Sequence, residues 1–257
     1  MAPQEPQFDV RLAQSAEDVR AAQALRYDVF VRELGGGGAD VDHDQCLEKD
    51  RFDPFVDHLL LRDHARDHAP VVGVYRVLRD DQARAAGQFY SESEYDLSAL
   101  KASGRRLMEL GRSCLHAQYR GGAAMFHLWQ ALADYVAAHQ IDILFGVASF
   151  HGTNAAALAQ PLSLLHHRHL APPALRVRAR AEQYHPMDLL PEDQIDRKQA
   201  MLETPALIKA YLRLGGVVGE GAWTDHEFNT TDVCLIMDTA RLNARQKQIY
   251  TSPRGQS

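Results

Sequence analysis

The chain has 257 residues, 46% hydrophobic and 24% charged, the composition of a soluble globular protein long enough for one enlarged domain or two small ones. A formal net charge of -6 argues against a general nucleic-acid binder, whose affinity rests on phosphate neutralisation. Cys46, Cys114 and Cys234 stand far apart with no C-x-x-C, which fits a reducing compartment and no zinc knuckle. The start, "MAPQEPQFDVRLAQ", is neither basic nor followed by an apolar run, so no signal peptide is expected. No apolar run approaches the ~18 residues that span a bilayer. The expectation is a cytoplasmic protein that can still touch the inner face of a membrane.

In chain order, "FDVRLAQ" alternates and predicts a first strand. Ser15 with Asp18 gives a capping-box signal, and Ala21 to Leu34 then reads as helix up to a stop at Gly35 to Gly38. Four glycines in a row make either a floppy loop or a flap over a site. "ADVDHDQCLEKDRFDPFVDH" is strongly acidic, after which "LLLRD" and "VVGVYRVLR" read as paired strands. "YSESEYDLSALKASG" predicts a short helix, "LMELGRSCL" a strand carrying a lone acid, and "HQIDILFGVASF" a strand buried on both faces. From Ile143 to Ala181 there is no Asp or Glu, while His166, His167, Arg168, His169, Arg176, Arg178 and Arg180 accumulate. "PALIKAYLRLGG" is a helix with a glycine stop, "VVGEGAWTDHEFNTTDVCLIMDT" two strands around a polar turn, and the tail from about residue 244 is expected to fray.

The stretch from Leu107 to Val136 carries the chemistry. A strand that enters a glycine turn at Arg120, Gly121 and Gly122 and then a helix leaves the first helical N–H groups unpaired. The positive end of the helix dipole joins them, a geometry that favours an anion such as a phosphate, although a plain strand-to-helix connection also uses glycine. "Gln118-Tyr119-Arg120-Gly121-Gly122-Ala123" fits the Q/R-x-x-G-x-G/A pattern of the GNAT acyltransferase superfamily, and the order of elements around it is similar. The resemblance implies an α/β fold with a mixed central sheet, its two central strands splayed around the acyl thioester and its flanks covered by helices. One domain would span residues 1–257, with a helical, basic insertion at about 150–203 before the last helix and hairpin.

Several separated blocks are more specific: "ELGRSCLHAQYRGGAAMFHLWQALADYV", "IDILFGVASFHGT", "YLRLGG" and "DHEFNTTDVCLIM" resemble the L-ornithine N-alpha-acyltransferases of bacterial ornithine-lipid synthesis. The resemblance implies transfer of a 3-hydroxy fatty acyl group from acyl carrier protein to the α-amine of L-ornithine, giving lyso-ornithine lipid. It implies no tightly bound cofactor beyond the acyl-phosphopantetheine donor. "LRYDVFVREL" and "DRFDPFVDHLL" are also similar to acyl-homoserine-lactone synthases, which share R-x-x-V-F, a strand arginine like Arg76 and an E-x-x-R pair like Glu109 with Arg112. By that similarity Arg26, Phe30, Asp50, Asp53, Arg76, Glu109 and Arg112 fall on functional positions.

Amide formation needs a neutral amine, so a carboxylate beside the thioester has a proton to collect, provided burial raises its pKa. Glu109 suits that role; the plainer readings are a salt bridge with Arg112 or an edge position. The resemblance puts the oxyanion's backbone N–H in a distorted part of the same strand, near Cys114 or Leu115, and the donor phosphate on Gln118, Arg120, Gly121, Gly122 and Ala123. Cys114 as an acyl-accepting nucleophile lacks a base in sequence, and direct transfer is the better expectation. The acceptor carries two amines and a carboxylate. Glu33 and the run from Asp40 to Asp57 would hold the side-chain ammonium or form a solvated loop. Arg26, Arg76 or Arg112 would fork onto the carboxylate, and Asp225, His226, Glu227 and Asn229 would close the pocket or form an ordinary turn. His64, His68 and "HHRH" lack a third ligand at a convincing spacing, so no metal is expected. The acid-free basic stretch suits docking of an acidic acyl carrier protein, or contact with a membrane surface. The rival functions are an acyl-homoserine-lactone synthase, an acyltransferase for another amino acid, and a non-catalytic carrier-protein binder.

Overall fold

The computed structural model describes residues 5–241; the tail expected to fray lies outside the described residues. Strand β1 (Phe8–Leu12) alternates between half-buried and exposed side chains, as its sequence does. Helix α1 (Ala16–Arg26) begins where the Ser15 hydroxyl accepts from the Asp18 N–H, with acids in its first turn complementing the dipole. It then widens: Tyr27–Glu33 continues as π-helix, the Leu34 N–H reaching back to the Val29 carbonyl. Strands β2 (Asp57–Asp63) and β3 (Val71–Arg79) pair antiparallel as their patterns predict. Helix α2 (Asp80–Ala86) follows, with the Gln82 side chain accepting from the Arg79 N–H and Gly87 left-handed at its end.

Of the helix predicted across "YSESEYDLSALKASG", the α-helical part is confined to the second half, α3 (Ser98–Ala102). The first half makes a tight turn at Tyr90–Ser93 and a two-residue strand, β4 (Tyr95–Asp96). Next come β5 (Leu107–Leu115), α4 (Ala124–His139) and β6 (Ile143–His151), as expected. The basic stretch forms α5 (Ala159–His169), β7 (Arg178–Ala179) and β8 (Tyr184–His185). Helices α6 (Arg197–Glu203) and α7 (Ala206–Arg213) lead to β9 (Val217–Val218), β10 (Ala222–Asp225) and β11 (Thr230–Asp238).

The chain folds as two compact units. The first holds the chain up to Leu78 together with Leu110–Gln140. Its strands lie in the order β1-β2-β3 followed by the later part of β5, with α1 and α4 packed on them. Ala22, Leu25, Val29, Leu60, Val74 and Cys114 form a continuous core against which Ala13, Phe30 and Val71 pack; each large apolar side chain buried there contributes roughly 1.5–3 kcal/mol. A Cβ at Gly73 would lie 2.6 Å from the Leu115 side chain and 3.0 Å from that of Leu128, so a larger residue there requires those leucines to shift.

The second unit holds Arg79–Glu109 and the chain from Ile141 onward. Leu107, Met108 and Glu109, the first residues of β5, pair parallel with Ile143, Leu144 and Phe145 of β6. Strand β6 pairs antiparallel with the whole of β11, and β10 and β8 extend the sheet beyond it. Helix α7 packs on β11, and α5 on β9 and α6. The sheet is therefore mixed and flanked by helices, as the α/β expectation required. No helix among the described residues is long and apolar enough to cross a membrane.

Candidate active site

Glu109 ends the parallel pairing of β5 with β6 and is only 3% exposed. Its carboxylate accepts from the Tyr90 N–H at 2.6 Å, from the Ser91 N–H at 2.7 Å and from the Ser91 hydroxyl. Tyr90–Ser93 is a short 3-10 turn, and Glu109 accepts from the N–H groups of its first two residues. Such donors favour the ionised carboxylate and work against the desolvation that opposes it. Glu109 is thus a buried carboxylate fixed in orientation by three donors.

Arg112 lies within β5 yet has a φ of 51°, a left-handed backbone. The distortion expected near Cys114 or Leu115 therefore falls earlier along the strand. Arg112 sends Nε to Glu48 Oε1 at 3.0 Å and Nη2 to Asp50 Oδ2 at 3.3 Å. Those acids belong to a larger buried network. Arg26 bonds Glu48 through Nε and Asp53 through Nη1 at 2.7 Å, and Arg76 bonds Asp50 at 2.7 Å and Asp53 at 3.1 Å. Gln23 donates to the second oxygen of Asp53 at 2.8 Å. Three guanidinium groups thus face three carboxylates.

Burial opposes charge on all three acids, and the arginines overcome it: Arg112 and Arg26 hold Glu48 below the usual carboxylate range, Arg76 and Arg112 do so for Asp50, and Arg26 and Arg76 hold Asp53 far below it. His58 completes the cluster, its Nε2 3.9 Å from Asp53 Oδ1. Arg26, Asp50, Asp53, Arg76 and Arg112 are thus brought together and pair with one another, while the buried Arg26 Nη2 has no hydrogen-bond partner among the described residues. Phe30 instead packs on the core of the first unit. Cys114 lies in that core, where burial pushes its thiol up to about 12; it is a filler, not a nucleophile.

At the glycine turn, Gly121 has a φ of 77°, which explains that glycine. Gly122 does not, and a Cβ there would meet nothing within 4 Å. Ala123 gives α4 no side-chain cap, and no acid stands in its first turn. The result is an open, uncapped start to a 16-residue helix, shaped to receive an anion. Arg120 bonds the Leu115 carbonyl through Nε at 3.1 Å and Nη2 at 3.0 Å, and clasps Glu33 through both Nη1 and Nη2. Glu33 is therefore committed to Arg120 at the glycine turn rather than to the acidic run, and that bond holds its carboxyl below the usual range. The acidic run lines an open depression of about 670 Å³ with Asp40, Asp42, Asp44 and Asp50, where Lys49 already pairs with Asp42 at 3.0 Å.

The hairpin residues are divided. Asp225 Oδ1 accepts from the Glu227 and Phe228 N–H groups at 2.8 and 3.0 Å, and Asn229 takes a left-handed backbone, so part of this turn is ordinary turn chemistry. His226 and Glu227 sit in the exposed turn. Asp225, however, joins Glu94 and Asp232, with one oxygen of each within 4.8 Å of the others. Asp232 pairs with Ser149 of β6, Glu109 with Phe145 of β6, and Asp225 with Thr230. Alternate residues share a face, so Glu109, Asp232 and Asp225 all point to one side of the second unit's sheet. Cys234, on the same side, is within electrostatic reach of both Glu109 and Glu94. Glu48, His58, Glu94 and Asp232 were not singled out in the sequence. Asp232 carries the signal that marked Glu109, an acid in an apolar strand.

The basic stretch is less free than its composition suggests. Arg168 pairs with Glu192 at 2.5 Å and Arg178 with Glu220, while Arg176 and Arg180 bond the Ala171 and Glu92 carbonyls.

Residues 25–130 match an acetyltransferase (GNAT) domain. The chain is 58% identical to the L-ornithine N(alpha)-acyltransferase of Rhodobacter capsulatus over 95% of each protein. It is 43% identical to that of Brucella abortus over 95% of this chain and 88% of the relative. Among solved structures it resembles FeeM, an N-acyl amino acid synthase from uncultured soil microbes, with a TM-score of 0.55 at 11% identity over 95% of this chain and 98% of the other. It also resembles BjaI, a CoA-dependent acyl-homoserine lactone synthase, with a TM-score of 0.52 at 14% identity over 96% and 92%. At those identities the two structures speak to the fold alone. The sequence relatives speak to more: this chain is an acyltransferase and belongs to the L-ornithine N(alpha)-acyltransferase family.

Proposed function

We propose that the protein transfers a 3-hydroxy fatty acyl group from acyl carrier protein to the α-amine of L-ornithine, yielding lyso-ornithine lipid. The observation that carries the reading is the carboxylate trio Glu94, Asp225 and Asp232 on the same sheet face as Glu109. An acceptor with two amino groups needs two differently built acidic positions. One must take a proton and the other must keep an ammonium group charged. Like charges as close as those of the trio repel, and an ammonium placed among them turns that repulsion into attraction. Glu109 collects a proton from the α-ammonium, directly or through water. The freed nitrogen then attacks the thioester carbonyl carbon, negative charge builds on its oxygen, and the C–S bond breaks as the thiolate leaves and takes a proton. The open start of α4, with Gly121 and Gly122, receives the phosphate of the pantetheine arm.

One observation favours a second reading of the donor. With Arg168 and Arg178 already paired to acids, less free positive charge remains for an acidic carrier protein, and a coenzyme A thioester needs only the glycine loop. The purified protein, incubated with 3-hydroxyacyl carrier protein or 3-hydroxyacyl coenzyme A and with ornithine, lysine, glutamine or glycine, should give an N-acyl product by mass only with ornithine, and faster from the carrier protein. Products from all four amino acids at equal rates would refute the acceptor assignment, and equal or faster use of coenzyme A would refute the donor assignment.

A further inference from the structure

The carboxylate trio of the second unit is assembled from two sheets. Asp225 and Asp232 stand on β10 and β11 of the large sheet, whereas Glu94 directly precedes β4, which pairs with β7 in a separate two-stranded sheet. The ladder of the large sheet sets the spacing of the two aspartates but not that of Glu94. Tyr95 bridges the two sheets. Its side chain is fully buried, and its hydroxyl donates to the Asp232 carbonyl at 2.9 Å and to the Gly221 carbonyl at 3.0 Å. Those carbonyls lie where β10 parts from β11. The pairing of the two strands ends at Trp223 with Asp232, and Gly221, with a φ of 79°, turns the chain just before β10.

A phenol suits this position. Burial pushes it well above its ordinary range, so it keeps the single proton that the two carbonyls share. The backbone beside it is fixed from the far side: Tyr95 pairs with Ala179, and the Glu94 carbonyl accepts from the Arg180 N–H at 2.8 Å. The residue next to one carboxylate thus grips the main chain of a second, Asp232, and the turn that leads into the strand of the third, Asp225. We propose that Tyr95 is a positioning residue for acceptor choice: its hydroxyl holds Glu94 against Asp225 and Asp232, so that the three carboxylates close on the side-chain ammonium of a diamino acid. The attraction of an ammonium group to converging carboxylates weakens as any one of them withdraws. The inference rests on the acceptor site proposed above and adds to it the group that sets its spacing.

Tyr95→Phe removes one oxygen and keeps the ring. With a soluble acyl-pantetheine donor it should raise the KM for ornithine about fivefold and leave kcat and the donor KM nearly unchanged. Tyr95→4-aminophenylalanine, which restores N–H donors at the same place, should return the KM to the parent value. A merely structural role would instead reduce the amount of active enzyme, lowering apparent kcat at unchanged KM, and that result would overturn the proposal. A loss confined to kcat with full active enzyme would overturn it too, since the effect would then run through the Tyr90–Ser93 turn to Glu109. Should Tyr95→Phe fail to fold, Tyr95→His, which keeps a ring N–H of shorter reach, is read by the same split. Asp232→Asn separates the inference from the reading beneath it. An unchanged ornithine KM in that variant would remove the acceptor site itself. A raised KM there, with none in Tyr95→Phe, would remove only the positioning role. In the Asp232→Asn background Tyr95→Phe should add little, because the trio is already broken.

Discussion

Replacing His58 by leucine should make the protein markedly less sensitive to mild acid. His58 is 2% exposed, and neither ring nitrogen has a hydrogen-bond partner among the described residues. Burial first, then Arg26 and Arg76, hold its ring neutral down to about 4 rather than the ordinary 6.5, with Asp53 pulling the other way. An unfolded chain takes up a proton as pH falls through 6.5 and the native chain does not, so native stability declines as pH drops from about 6.5 towards 4. The difference of about 2.5 corresponds to a full loss of roughly 3 kcal/mol below pH 4, and to about 2 kcal/mol at pH 5. At pH 8 the same group contributes essentially nothing. Urea unfolding followed by circular dichroism, at pH 8 and pH 5 and fixed ionic strength, measures the effect directly. The parent should lose about 2 kcal/mol more between the two conditions than His58→Leu does, because every other titrating group is common to both proteins. Equal losses would mean that His58 titrates normally in the native state, and the account of its burial beside two arginines would fail.

Glu109→Gln should lower kcat by about a hundredfold or more with donor binding intact, and raising the pH should recover part of the rate; unchanged turnover at neutral pH would remove Glu109 from the proton-accepting role. Gly122→Val should abolish binding of an acyl-pantetheine phosphate while changing the urea midpoint little, since a side chain there meets no protein atom within 4 Å; normal donor binding by titration calorimetry would move the phosphate elsewhere. Asp232→Asn should raise the KM for ornithine at least about tenfold, with a smaller effect on any residual use of glutamine, because only ornithine brings a side-chain ammonium to the trio; an equal effect on both substrates would count against the assignment. Replacing Arg168, Arg176, Arg178 and Arg180 by serine should slow transfer from acyl carrier protein several-fold, less in high salt, and leave a minimal acyl-pantetheine donor unaffected. Equal losses with both donors would mean that the arginines shape the catalytic unit instead.

Local chemistry made much of the fold readable before any coordinates. Ser15 announced α1, the apolar runs announced β2, β3, β5 and β6, and Gly215, with a φ of 89°, ends α7 as its glycine stop predicted. The site was less readable because its meaning lies in pairing. Arg26, Asp50, Asp53 and Arg76 are individually eligible to bind a zwitterion, and only the three-dimensional arrangement shows each already engaged. Glu48 stands among so many acids that nothing in one dimension distinguishes it. The kink at Arg112 has no local signature either, since arginine is not a residue that favours a left-handed backbone. The two-residue strands β7, β8 and β9 are too short for periodicity to show. Asp232 differs from these cases. It stands in an apolar strand as Glu109 does, and a consistent reading of that one signal would have found both.

The clasp between Glu33 and Arg120 gives the proposed donor loop, Gln118 to Ala123, a resident counter-ion. An unoccupied loop is then electrically quiet, and stray inorganic phosphate gains little by visiting it, because it must first displace a tethered carboxylate. A pantetheine-linked phosphate brings the rest of its arm as additional grip and can complete that exchange. On the proposed reading, filling the loop would be a swap of anions, one leaving Arg120 as another arrives. The salt dependence of donor capture should be shallower than a bare arginine beside a helix start would produce. Glu33 also ends the π-helical stretch, with only Leu34 between it and the four-glycine loop. On the proposed reading, a single carboxylate would thereby link donor arrival to the start of that loop.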